Sequence, residues 1–72
     1  MPYAHEDGVK VGTVLYPDGD FDCMKKGTRK VVKEDEHGNL YISCKEKRHL
    51  LDGQIDKDGY YIGLYLTKSE AM

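Results

Sequence analysis

A chain of 72 residues has room for one domain and a modest core, because a protein this small buries a smaller share of its surface than a large one. Apolar residues at 39% and charged residues at 33% exclude both a disordered tail and a membrane protein, and a net charge of -2 argues against a domain that holds nucleic acid by bulk charge. The longest apolar run, residues 60–66, is seven residues including Gly63, far short of the roughly 20 that a spanning helix needs.

Residues 1–8 carry Pro2, Glu6 and Asp7 with no hydrophobic segment, so they are expected to fray and do not read as a secretory signal. A soluble, cytoplasmic protein is the default expectation. Residues 9–16 alternate Val9, Val11, Thr13 and Leu15 against Lys10, Gly12, Val14 and Tyr16, which predicts a first strand. Pro17-Asp18-Gly19-Asp20 turns the chain into a short second strand over 21–24. After the polar break Lys25-Lys26-Gly27-Thr28, a β-branched run over 29–33 resumes through Val31 and Val32.

The loop 34–39 returns the chain into residues 40–44, where Leu40, Ile42 and Cys44 alternate cleanly with Tyr41 and Ser43. Residues 45–51 read either as one helical turn or as an exposed loop entering a strand. Asp56-Lys57-Asp58-Gly59 then leads into a last strand over 60–66, and residues 67–72 read as a frayed end. Three turns, Asp18-Gly19-Asp20, His37-Gly38-Asn39 and Asp58-Gly59, thus each precede a run rich in β-branched, aromatic or other apolar residues, as in a meander of hairpins. The echo between residues 17–23 and 35–44 is too short to define a repeat.

The last strand differs from the others. Tyr60, Ile62, Leu64 and Leu66 fall on one face and Tyr61, Gly63 and Tyr65 on the other, so neither face is polar. A chain this short can cover both faces only by curling into a barrel or by engaging a partner. The expected fold is therefore all-β: a small SH3-like, closed or partly open antiparallel barrel of about five short strands, with at most one short helical turn.

Cys23 and Cys44 occupy corresponding places in the first two turn-strand units, and three readings stand: buried free thiols, a disulfide, or a zinc site completed by His37 and His49. The four zinc candidates lack close paired spacing, so no metal is expected. The aspartates around Gly19 and Gly59 do not fit a calcium loop, because the sixth position is Lys57 counting from Asp52 and Cys23 counting from Asp18; they read as turn formers. Cys44 and His49 are the only nucleophile and base near each other in sequence, and no phosphate-binding, dinucleotide or zinc-protease motif is present. Neither enzymatic activity nor a cofactor is expected.

Residues 25–48 hold eight cations against four carboxylates, whereas the remainder holds three lysines against nine carboxylates. A basic middle with tyrosines nearby admits single-stranded nucleic acid, by way of segments 25–33 and 45–49, as well as an acidic protein surface. From Phe21, Cys23 and Gly27, through Asp35, Gly38, Leu40-Tyr41-Ile42-Ser43-Cys44, His49 and Leu51-Asp52-Gly53-Gln54, to Tyr61-Ile62-Gly63, the chain resembles small phage- and prophage-encoded proteins over residues 17–66. That resemblance implies a non-enzymatic accessory protein that binds and modulates a host protein or nucleoprotein complex in the host cytoplasm.

The function expected from these readings is a binding module whose partner is a protein. Tyr61, Tyr65 and Tyr41 are its expected contacts, with Lys25, Lys26, Arg29, Lys47 and Arg48 supplying steering and rim. Nucleic-acid binding and self-association through the same tyrosines are the competing readings.

Overall fold

The computed structural model describes residues 3–19 and 24–72. Within them lie eight short strands, two 3-10 turns and one terminal helix: β1 (Ala4–His5), β2 (Val14–Pro17), β3 (Lys30–Val31), β4 (Lys33–Glu34), β5 (Leu40–Cys44), β6 (Lys47–Leu50), β7 (Tyr60–Tyr61), β8 (Leu64–Tyr65) and α1 (Lys68–Ala71). Every pairing is antiparallel, in the orders β1-β7, β3-β2-β8 and β4-β5-β6. The mostly-β class is the expected one. The strands are shorter and more numerous than the sequence suggests, and among the described residues these pairings form three sheets.

Two of the three glycine turns share one construction. Asp35 Oδ1 accepts from the backbone N–H of His37 and of Asn39, both at 2.9 Å, while Gly38 N donates to Asp35 O at 3.1 Å. Asp56 repeats this, with Oδ1 accepting from Asp58 N and Tyr60 N at 2.9 Å and Gly59 N donating to Asp56 O at 3.1 Å. The aspartate satisfies the corner N–H groups, and the glycine takes the positive φ that lets the chain reverse. The third turn runs into residues 20–23, so the expected second strand lies largely outside the described residues, as does Cys23.

Several expectations are corrected. The first strand begins only at Val14, because Thr13 N donates to Lys10 O and Lys10 N to Thr13 Oγ1, closing a turn where alternation predicted a strand. The run 29–33 divides at Val32, whose N–H donates to Thr13 O, so the chain pairs with β2 as β3 and then with β5 as β4. The stretch 45–51 follows the second of its two readings, an exposed turn entering a strand: Cys44 and Lys47 close a two-residue turn in which Lys45 holds φ 58°, a corner that no glycine announces.

Among the described residues, both terminal segments carry an element, Ala4–His5 and Lys68–Ala71. Ala4 pairs with Tyr61 and is 1% exposed, and Thr67 caps α1 by accepting from Glu70 N at 3.3 Å and donating to Glu70 Oε1 at 2.8 Å, so that Ala71 is buried. Thr67-Lys68-Ser69-Glu70 has the sequence pattern of a capping box, although Glu70 reaches back to the Thr67 hydroxyl rather than to its backbone N–H.

The largest correction concerns residues 60–66. Ile62 and Gly63 form a turn, with Gly63 at φ 83°, that separates β7, paired with β1, from β8, paired with β2. No continuous two-faced strand exists there. Tyr61 and Leu64 enter the core, while Ile62 and Leu66 are exposed. The hydrophobic cluster joins all three sheets through Ala4, Leu15, Val32, Ile42, Tyr61 and Leu64, with Leu51 from the 3-10 turn Leu51–Gln54. Each fully buried aliphatic side chain contributes roughly 1.5–3 kcal/mol.

Cys44 is buried and disulfide-bonded, so the free-thiol reading does not hold for it. Among the described residues no helix is long and apolar enough to cross a membrane, and no three His, Cys, Asp or Glu residues are arranged to hold a metal ion.

Candidate functional site

The outward face of the β3-β2-β8 sheet collects side chains that the sequence leaves scattered. Antiparallel partners point to the same side, and the pairs are Tyr16 with Tyr65 and Val14 with Val31. Leu15, Pro17 and Leu64 point the other way and are buried, whereas those four residues are only half-buried. Tyr3 adds a third ring, its centroid 5.3 Å from that of Tyr65 at an interplanar angle of 60°. The result is a face of three tyrosines and two valines.

At Tyr16 this face runs into a depression of about 600 Å³ lined by Tyr16, Lys25, Lys26, Gly27, Thr28, Arg29, Lys68 and Met72. One wall is the turn Lys25-Lys26-Gly27-Thr28, fixed by Gly27 N donating to Pro17 O at 2.7 Å and by the Thr28 N–H and hydroxyl both donating to Lys25 O, at 3.1 and 2.7 Å. The other wall is α1, whose Met72 passes so close to Gly27 that a β-carbon there would lie 2.6 Å from the Met72 sulfur. Among the described residues no Asp or Glu lines the depression, and none of the ion pairs involves Lys25, Lys26, Arg29 or Lys68.

The remaining expected contacts lie elsewhere. Tyr41 and Arg48 stand on the outer face of the β4-β5-β6 sheet, with the guanidinium 4.9 Å from the ring centroid and 3.6 Å from the Glu36 carboxylate. They engage each other, beside exposed Leu50 in the row paired with Tyr41. Lys47 pairs with Cys44 at the tip of that hairpin, next to a separate depression of about 480 Å³. Tyr61 is not a surface residue: it is 5% exposed, and burial first, with Glu6 and Asp52 nearby, raises its phenol above the ordinary 10.0. The expected grouping of Tyr61 with Tyr65 on one exposed face is therefore corrected, because the turn at Gly63 sends the two rings to different sides.

No protein-family model, curated protein or solved structure matches this chain.

Of the expected residues, Tyr65, Lys25, Lys26 and Arg29 border one surface, and the sequence reading missed Tyr3, Tyr16 and Lys68, which complete it. Alternation over 9–16 already separated Val14 and Tyr16 from Leu15; nothing local to Lys68 or Tyr3 announced where they dock. Cys44, the thiol expected near His49, is committed to a disulfide.

Proposed function

We propose that this chain is a binding module, not an enzyme, that occupies the surface of a partner protein with Tyr3, Tyr16, Tyr65, Val14 and Val31, edged by Lys25, Lys26, Arg29 and Lys68. One observation carries the reading: half-exposed tyrosines adjoin four cations that lack acidic partners among the described residues. The rings offer rigid amphipathic area that desolvates readily, and the cations steer an acidic partner and fix its register. Closure of the three sheets into an SH3-like barrel belongs to the same proposal, supported by the strand that leaves β2 at Val32 to join β5. An accessory role of the phage type rests on the sequence resemblance alone. The disulfide at Cys44 favours an oxidising setting over the cytoplasm that composition suggested.

A second reading, single-stranded nucleic acid, draws on the same tyrosines beside cations, since sequence-tolerant binding needs ring faces for bases and positive charge for phosphates. Immobilised protein should capture a protein from a lysate of the source cell, and Tyr16→Ala plus Tyr65→Ala should weaken capture by about 30-fold or more, the scale of losing hot-spot rings, with the fold intact by circular dichroism. Undiminished capture by the folded variant removes this face from consideration. Nuclease-sensitive capture transfers the function to nucleic acid, and a dimer that the double variant converts to monomer transfers it to self-association.

A further inference from the structure

We infer that the depression between the Lys25-Lys26-Gly27-Thr28 turn and α1 is a binding site for a compact phosphate-bearing group, of the kind carried by a nucleotide. This goes beyond the protein-binding reading and does not rest on it.

Lys25, Lys26 and Arg29 project from a segment pinned to β2 through Gly27 N and Pro17 O at 2.7 Å, and cross-braced by the two bonds from Thr28 to Lys25 O. Lys68 faces them from α1, whose start Thr67 caps. Four cations from two separate elements thus surround one hollow. Among the described residues no carboxylate stands between these like charges, which repel one another, and a multiply charged anion placed among them relieves that repulsion. Arg29 adds a planar fork suited to phosphate oxygens, and the three lysines add mobile point charges.

Size and surroundings narrow the ligand. A volume of about 600 Å³ fits within the ordinary range of small-molecule sites. Tyr16 contributes an aromatic ring to the lining, and such a ring can stack a base. The rest of the chain favours a compact anion over a long one. With four of the eleven cations gathered here, the other seven stand among eleven carboxylates in the described residues, so an extended polyanion leaving the hollow meets net negative charge. A compact anion stays where the potential is positive.

The test uses the whole chain with its disulfide intact, titrated with ATP and with tripolyphosphate by calorimetry and by amide chemical shifts. Both should bind saturably with a Kd of about 100 µM or tighter in about 150 mM salt, where screening beyond ~8 Å suppresses diffuse attraction. Lys26→Glu plus Arg29→Glu should weaken both by about 30-fold or more while leaving the unfolding temperature in place. Shifts should concentrate at residues 25–29, 68 and 16. Tighter binding of ATP than of tripolyphosphate, lost in Tyr16→Ala, identifies a nucleotide; equal binding identifies the phosphate chain from any source. The proposal is overturned by unsaturable titration, by equal affinity in the charge-reversed variant, or by shifts centred elsewhere. Preferential binding of a long oligothymidylate with a steep salt dependence also overturns it, in favour of an extended nucleic-acid track. Since no partner protein enters the measurement, its failure leaves the capture experiment untouched.

Discussion

Asp35 holds its turn with one carboxylate oxygen that accepts two backbone N–H groups, and this sets its acidity. The bond from Asn39 N acts first to bring the carboxyl below the ordinary 3.8, desolvation opposes it, and the bond from His37 N adds to the lowering. Because the folded pKa is depressed, the associated stability is present above the unfolded pKa and fades as pH falls below 3.8 through the folded value. Asp35→Asn retains an oxygen at the corner but does not titrate. Denaturant unfolding followed from neutral pH to about pH 2 should therefore show a shallower acid loss in Asp35→Asn than in the parent, and parallel curves would refute the clamp. The turn at His37-Gly38-Asn39 was legible in the sequence because its chemistry is local, whereas the part Asp35 plays two positions earlier shows only in the hydrogen bonds.

At the scale of elements, local reasoning failed where a strand owes its existence to a distant partner. β1 looks like a polar tail, yet it is clasped to the turn before β7. Glu6 N donates to Gly59 O at 2.8 Å, His5 Nε2 lies 2.9 Å from Asp58 O, and the His5 and Tyr60 rings meet edge to face with centroids 4.6 Å apart. Gly59 sits at φ 89° under this clasp, and a β-carbon there would lie 2.5 Å from Glu6 Oε2 and 2.8 Å from His5 Nε2. Gly59→Ala should therefore cost about 1–3 kcal/mol through backbone strain and displacement of the clasp, read as a lower unfolding temperature together with faster amide exchange at residues 4–6. An unchanged exchange pattern would show that β1 docks without the clasp. The same non-locality split residues 60–66. Alternation treated them as one strand, but Gly63 lets the chain pair first with β1 and then with β2.

Across the whole molecule, a small core is supplemented by a covalent constraint. Cys44 lies on the buried side of β5 beside Ile42, and its disulfide restricts the unfolded chain, worth about 2–4 kcal/mol in domains of this kind. Reduction, or Cys44→Ala, should lower the unfolding temperature by an amount of that order. Iodoacetamide applied under denaturing conditions before reduction should add no mass; a mass gain at that stage would mean that the thiols are free.

By itself the sequence determined the β class, the aspartate-glycine corners, the core-facing alternation of Leu40–Cys44 and the clustering of cations in the middle of the chain, because each depends on neighbours within a few residues. Only the tertiary structure decided that Ala4–His5 and Lys68–Ala71 dock, that Tyr61 is core while Tyr16 and Tyr65 share a half-exposed face, and that Lys68 joins Lys25, Lys26 and Arg29 around one hollow. The physical reason is register. Which residues become neighbours across strands depends on where each strand bends and what it meets, and those bends occur at Val32 and Gly63, where pairing partners change.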